Sequence, residues 1–571
     1  MKRQADFYST AILVGSSLLA CGVVFLMWTH VTLKLAPLAD HWESFVLHRA
    51  YFFGIMICMA PALWAASKKA NMISAGIAML PLILLMVLSI PFGYDQFGGY
   101  DLSPMIDAAW RSTCGQVPYV DFAYTLPPSF YAGCVLAHAC LGVQWSSFIE
   151  IYVLYTVICI ILIWMALWRA NVRHPAILLL VVAGLMVPQW FTSYWWHSSV
   201  TSLACCLFLA WMLAFIEKPA SIFNALILAV AMAWLALGKP NGAAPCLILG
   251  SGIALLYSRA RLRFIAVAAL ALALFLAALL ALKISPYLLF DSYAGIAKNR
   301  LDLDFLIPRG LPVWGLELAR VHLYLFFSLT ILGVVSVIAV WKKAPMRLTP
   351  WYLTALVAAG SAYIAMRTNC DCKHNDLPLL IFGAAVALSP WVHLYRHTKG
   401  NTITVGVAAL VIAALAWTSF APGASRWRQQ LTGYGAFYET APLVAVDNGY
   451  FKGLRAGPRF HAVVREARDV TQKASAQVIF FGPRIEFLYA ELQLDSCRKL
   501  PLWWHPGSSY PLRQEAAIVN NFKAGHIDLA VFLKDDFTRF PAAIRAYLEQ
   551  EFVKDNQTYP TLTVFRRKLQ G

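Results

Sequence analysis

A chain of 571 residues that is 60% hydrophobic and only 13% charged cannot cover a soluble surface of its own size, which excludes a large water-soluble globule. Its net charge of +17 does not point to nucleic acid, because much of the excess Lys and Arg falls in short loops between apolar runs and reports membrane orientation. Many of those runs approach or exceed the roughly 20 residues that cross ~30 Å of hydrocarbon as a helix, which predicts a polytopic α-helical membrane protein.

Behind Met1-Lys2-Arg3, the run Ala11–Thr29 has the apolar core of a signal peptide but no clear small-residue cleavage site. Further spans follow quickly, so it reads as an uncleaved anchor with a cytoplasmic amino terminus. The spans then run Tyr51–Ser67, Met72–Ile90, Phe148–Leu167, Pro175–Gln189, Val200–Ile216, Ile222–Leu237 and Ala243–Ser258. Phe264–Leu282, Leu323–Trp341, Trp351–Met366, Leu377–Leu394 and Ile403–Phe420 bring the count to about thirteen. In this register every inner loop is basic: Lys68-Lys69, Arg169 with Arg173, Lys218, Arg259 with Arg261 and Arg263, Lys342-Lys343 with Arg347, and Arg396 with Lys399. That is the positive-inside pattern.

The outer side receives the acidic loop 91–147, the aromatic turn before His197, the turn Gly238–Gly242, the loop Lys283–His322, the turn Arg367–Asp376 and everything after Phe420. Trp190 to Trp196 reads as an interfacial aromatic belt. His197, directly after it, is a candidate substrate contact, although a lone histidine at an interface more often has a structural role. The chain thus divides into a transmembrane domain, 1–420, and a soluble C-terminal domain, 421–571, with the C-terminal domain outside the cytoplasm at the plasma (inner) membrane.

Residues 421–571 have the composition of a soluble domain. Val478–Phe481, Ile527–Leu533 and Leu562–Phe565 read as strands, and Arg513–Ala524 and Pro541–Phe552 as helices. Their alternation predicts a small α/β layer with a mostly parallel sheet. With no GxGxxG, P-loop or nucleophile elbow, it reads as a lid or docking domain. Asn556-Gln557-Thr558 matches a glycosylation sequon, a motif short enough to arise by chance. The twelve cysteines are scattered. Cys370-Asp371-Cys372 is a weak metal signal, and Cys114, Cys370, Cys372 and Cys497 are candidates for a disulfide on an oxidising side.

The loop 91–147 concentrates carboxylates (Asp95, Asp101, Asp107 and Asp121) directly after an apolar run, a costly arrangement near hydrocarbon. Asp101 is followed by Ala108-Ala109, then Gly115-Gln116-Val117-Pro118-Tyr119-Val120-Asp121-Phe122, then Pro127-Pro128. This series resembles the first outer loop of GT-C glycosyltransferases. These integral membrane enzymes, which include the protein mannosyltransferase and lipid A aminoarabinose transferase group, take sugars from polyprenyl-phosphate donors. Two features depart from that pattern: Asp101 is followed by Leu102 where an acid is common, and two spans precede the one expected first. The match in order and spacing covers residues 101–128.

The resemblance implies a glycosyltransferase moving a sugar from a polyprenyl-phosphate donor to a glycan, lipid or protein acceptor of the cell envelope, on the outer face. It implies Asp101 as the base for the acceptor hydroxyl, while Asp121 organises the loop or binds that hydroxyl. Asp95 and Asp107 read as solvated or capping residues. Cations to hold the departing phosphate come from other outer turns: Lys239 between Gly238 and Pro240, and Arg367 and Lys373 from another span. Arg309 and Arg320 lie in the long outer loop, and for each basic residue alone snorkelling to headgroups is an alternative. No metal ligand is assigned and the sequence identifies no cofactor, while a divalent cation is compatible with the chemistry. Two other readings stay open: a transporter or flippase of lipid-linked saccharides, and a surface-polysaccharide polymerase or ligase. The first lacks the internal repeat and charged mid-membrane helices such proteins show.

Overall fold

A computed structural model of the chain describes residues 2–34, 58, 61–62, 65, 72–88, 97, 99, 101–172, 175–186, 194–300, 349–368, 377–394, 437, 443–474, 476–507, 509–534, 536, 538, 540–555 and 559–568. Two compact units emerge. One comprises Met1–Phe92, Tyr152–Phe275 and Leu306–Arg426, and the other Gly93–Ile151, Leu276–Phe305 and Trp427–Gly571. The acidic loop therefore groups with the C-terminal residues rather than with the spans that flank it in sequence.

The first unit is helical. Among the described residues, four helices are long and apolar enough to cross a membrane: Ser146–Arg169, His197–Glu217, Pro240–Tyr257 and Arg261–Ala281, the first and last extending past the bounds of this unit. The helices Lys2–Lys34, Met72–Leu88, Pro175–Met186, Ile222–Ala236, Thr349–Thr368 and Leu377–Leu394 fall on other expected spans. Leu323–Trp341, Ile403–Phe420 and most of Tyr51–Ser67 lie outside the described residues.

Local chemistry sets several of these helix starts. Ser221 caps Ile222–Ala236 by accepting from the Asn224 N–H, and Pro240 opens the next helix at a position where its missing N–H is not needed. His197–Glu217 is buried along almost its whole length and packs against Pro240–Tyr257 and Ile222–Ala236. The first of these contacts is close because Gly250 faces Phe208: a Cβ there would lie 2.5 Å from the ring carbon Cε1. Small residues at such crossings let helix backbones approach where lipid offers no hydrophobic drive. On the side expected to be cytoplasmic, Arg169 donates from Nη2 to Ser221 Oγ at 2.7 Å and from Nε to Asn224 Oδ1. Asn224 in turn donates to the Ala214 carbonyl at 2.8 Å, so the basic loop residue ties three helices together.

In the second unit the strands β1 Val444–Ala445 and β2 Arg455–Ala456 form a small antiparallel ribbon. The strands β3 Ile479–Phe481, β4 Leu529–Leu533, β5 Phe552–Lys554 and β6 Leu562–Arg567 form a sheet in the order β3-β4-β6-β5. Three of these strands and the helices Glu515–Ala524 and Ala542–Glu551 fall where the sequence places them. The sheet is not mostly parallel, however. Only β3 and β4 pair in parallel, while β4–β6 and β5–β6 are antiparallel. The physical reason is connection length: a short loop joins β5 to β6, and parallel neighbours need a crossover of a dozen or more residues. The helix Pro458–Lys473 and the ribbon β1–β2 were not anticipated. Phe480, Trp504, Phe522, Phe540, Ile544 and Leu548 build the sheet's core, each large side chain contributing about 1.5–3 kcal/mol by burial.

Candidate active site

Every part of the 101–128 series forms a defined piece of the second unit. The helix Leu102–Thr113 follows Asp101 directly, and the helix Pro128–Leu141 opens with Pro128 at its first turn. Between them the chain closes a tight turn. Gly115 takes a left-handed φ of 72°, and Tyr119 does so too at 66°, a costly conformation for a bulky residue. The Tyr119 N–H donates to the Phe122 carbonyl, and the Asp121 carboxylate accepts from the Val117 N–H at 2.9 Å. Asp121 also pairs with Arg498 at 3.4 Å.

The C-terminal segment 486–503 runs along this loop. The Ser103 hydroxyl donates to Glu486 at 2.6 Å and accepts from the Phe487 N–H at 3.1 Å. Trp110 Nε1 donates to the Leu494 carbonyl at 2.8 Å. Residues 103, 107 and 110–111 share one helical face by their spacing, and that face carries the bonds. The backbone continues the pairing beyond the helix, with the Lys499 N–H on the Asp121 carbonyl and the Leu502 N–H on the Ala123 carbonyl.

Asp107 corrects the expectation of a solvated or capping residue. It is completely buried: its Oδ2 accepts from Arg111 Nε at 2.7 Å and its Oδ1 from Ser496 Oγ at 2.5 Å. Arg111, also buried, donates to the Gln116 side chain and the Cys497 carbonyl and lies over the Phe122 ring, 5.0 Å from its centroid. Gln116 completes the network by donating to the Ser496 carbonyl at 2.7 Å. Burial pushes the Asp107 carboxyl above its ordinary range, against the pull of Arg111 and Ser496. Burial likewise drives Glu486 well above the carboxylate range, with the Ser103 hydroxyl opposing the shift. In sequence, Asp107 and Arg111 resemble a surface i,i+4 pair, and nothing local reveals the partner at Ser496.

Asp101 stands at the N-cap position of its helix, yet its side chain makes no capping hydrogen bond. Its Oδ1 instead accepts from Trp503 Nε1 at 3.2 Å, and both residues are half-buried. Asp101 has a helical backbone, φ −85° and ψ −18°, rather than the extended one from which a capping side chain reaches the helix N–H groups.

His197 and Lys239 fall in the first unit and come together there. Lys239 precedes the helix Pro240–Tyr257, and its backbone N–H donates to Thr201 Oγ1 at 2.9 Å. Its ammonium donates to Ser198 Oγ at 3.4 Å, and the same hydroxyl lies 3.0 Å from His197 Nδ1. Gly238 is required here, since a Cβ would lie 2.9 Å from the Leu235 carbonyl oxygen. Ser198, Thr201, Ser202, Cys205, Lys239 and Asn241 line most of a small cavity that Ala365 also borders. The first turn of one helix and the start of another thus bring Ser198, Thr201 and the Lys239 ammonium together beside a small cavity.

Arg367 lies two residues beyond Ala365 in the helix Thr349–Thr368, and its side chain is outside the described residues, as are Lys373, Asp95, Arg309, Arg320, Cys370, Cys372 and the sequon. Cys114 and Cys497 carry free thiols. Among the described residues no group of His, Cys, Asp and Glu could hold a metal ion. Sequence reasoning missed Trp503, Ser496 and Glu486; the Trp503-Trp504 doublet was a usable signal, because two adjacent tryptophans in a soluble layer need separate burial partners.

No family model matches the chain, and no curated protein does. Among solved structures it is similar to the crystal structure of ArnT from Cupriavidus metallidurans bound to undecaprenyl phosphate. Identity is 13% and the TM-score 0.47, covering 86% of this chain and 98% of that one. The apo state of the same protein gives 14% identity and a TM-score of 0.46 over the same shares of the two chains. Likeness at this distance does not define an activity.

Proposed function

We propose that the chain is a GT-C-type glycosyltransferase that moves a sugar from a polyprenyl-phosphate donor to a hydroxyl of a cell-envelope acceptor, on the outer face of the membrane. The observation that carries this reading is Asp101: a half-buried carboxylate at the head of the helix Leu102–Thr113, not used as that helix's cap. The acceptor oxygen attacks the anomeric carbon while the bond from that carbon to the phosphate oxygen breaks. The acceptor's proton passes to the Asp101 carboxylate, and polyprenyl phosphate leaves with the bonding pair. General-base help of this kind contributes about 10²–10⁴ in rate.

Lys239 is the cation we assign to the donor phosphate, His197 a candidate substrate contact, and Arg367 and Lys373 further candidates for that phosphate. Asp121 holds the loop closed through the Val117 N–H and is a candidate contact for the acceptor. The C-terminal region lies on the same, outer side as the loop it grips.

Purified protein in nanodiscs, offered polyprenyl-phosphate mannose or aminoarabinose with cell-envelope acceptors, should consume the donor and release polyprenyl phosphate. Transbilayer movement of the intact donor in proteoliposomes, without its cleavage, would support the transporter reading instead. Lys239→Arg should retain part of the donor affinity and Lys239→Met should lose most of it, because a lysine acts on phosphate mainly as a point charge.

A further inference from the structure

The C-terminal region contributes a donor to the carboxylate on which the proposed reaction depends. Trp503 Nε1 lies 3.2 Å from Asp101 Oδ1. Three features make this contact a built one. First, the aspartate side chain does not cap its own helix, and its Oδ1 accepts from the indole N–H. Second, Trp503 is held from both sides. Its neighbour Trp504 is 2% exposed, with its ring 4.6 Å from Phe540 and 5.6 Å from Phe480 in the sheet core. The preceding residues Lys499 and Leu502 are bonded through their backbones to Asp121 and Ala123 of the loop. Third, the indole N–H is a donor only and does not titrate, so it orients a carboxylate without competing for the proton that carboxylate is to receive.

The helix bearing Asp101 is also fixed at Ser103, Asp107, Trp110 and Arg111 by Glu486, Ser496, Leu494 and Cys497, all within the same stretch of chain. Trp503 and Asp101 therefore lie in the same compact unit, in segments joined by these bonds.

We propose that Trp503 is a positioning residue for Asp101, so that the C-terminal α/β region sets the orientation and basicity of the outer-loop carboxylate. This rests on the reading of Asp101 as the base. It is not a catalytic residue itself, because it acts through Asp101.

The test is steady-state turnover of polyprenyl-phosphate mannose or aminoarabinose by full-length Trp503→Phe and Trp503→His, measured across pH beside Asp101→Asn. Phenylalanine keeps a ring and removes the donor. The histidine Nε2–H falls at about the place of the indole N–H and restores it. Trp503→Phe is expected to lower kcat about tenfold with KM for the donor little changed. The acid limb of its pH–rate profile should move to higher pH, because an ionised carboxylate that loses a donor holds its proton more readily. Trp503→His should recover much of the rate. A Phe variant with wild-type kcat and profile overturns the proposal, and so does a loss confined to KM. If the Phe variant does not fold, the His variant decides on rate: kcat near the wild-type value supports the proposal, and a folded His variant about tenfold slower or worse counts against it. An active Asp101→Asn would instead remove the underlying reading, whatever Trp503 does.

Discussion

The helices Leu102–Thr113 and His197–Glu217 both bury most of their residues, and they do so by different means. The first buries Ser103, Asp107 and Arg111, each matched to a partner in the segment 486–497. The second buries Ser198, Ser199, Thr201, Ser202 and a pair of cysteines, and gains its fit from small volume and close helix approach. Ser202 Oγ and Trp211 Nε1 find no hydrogen-bond partner among the described residues. Where charge is buried, position is specified atom by atom, and a one-residue slip would strand an ion. Where small residues are buried, position is specified by shape, and tolerance is limited by volume.

The contrast is broken most severely at the ion pair. Arg111→Met leaves Asp107 buried without its countercharge and should destabilise the second unit by about 3–5 kcal/mol. Thermal unfolding in detergent would show a lowered first transition. The double variant Asp107→Leu with Arg111→Met should recover much of that loss, because an apolar pair of similar volume removes the stranded charge. Failure to recover would mean that the network also holds the turn at Gln116, which shares Arg111.

The membrane unit should respond to volume instead. Gly250→Ala drives a methyl into the Phe208 ring and should cost about 1–3 kcal/mol, visible as a lower unfolding temperature. Gly252→Ala, where a Cβ meets nothing within 4 Å, is the control and should be nearly silent.

The smallest effect sharpens the comparison through pH. Glu486 is held well above the ordinary carboxylate range by burial. A carboxyl raised in the folded state contributes stability that is fully present below its unfolded value, about 4.3, and is lost as pH rises through the folded value. The unfolding temperature of the second unit should therefore fall as pH rises from about 4.3 toward the folded value, and Glu486→Gln should flatten that fall. A Glu486→Gln curve that falls as steeply as the wild-type curve would show that Glu486 does not carry the effect.

Much of the candidate site was legible because it is local. The order Asp101, Gly115, Pro118, Asp121, Pro127 describes a helix start, a turn and a second helix, and each signal acts within a few residues. The Gly238-Lys239-Pro240 turn was legible for the same reason: glycine for a close approach, proline for the first helical turn. What stayed hidden is what depends on distant partners. Asp107 reads as a capping or surface residue unless Ser496 is known to face it, and a strand pattern cannot show that β6 runs against β4. Trp503 was invisible as a partner of Asp101, since no local rule relates residues so far apart.

The most direct test of the central claim is donor turnover by Asp101→Asn beside Asp121→Asn, each checked for an unchanged unfolding temperature. Asparagine keeps the size and one acceptor for the Trp503 N–H while removing the charge that takes the proton. The account predicts a loss of about 10²–10⁴ in kcat for Asp101→Asn and a smaller loss for Asp121→Asn. Near-normal turnover by folded Asp101→Asn, with Asp121→Asn inactive or equally normal, would contradict it.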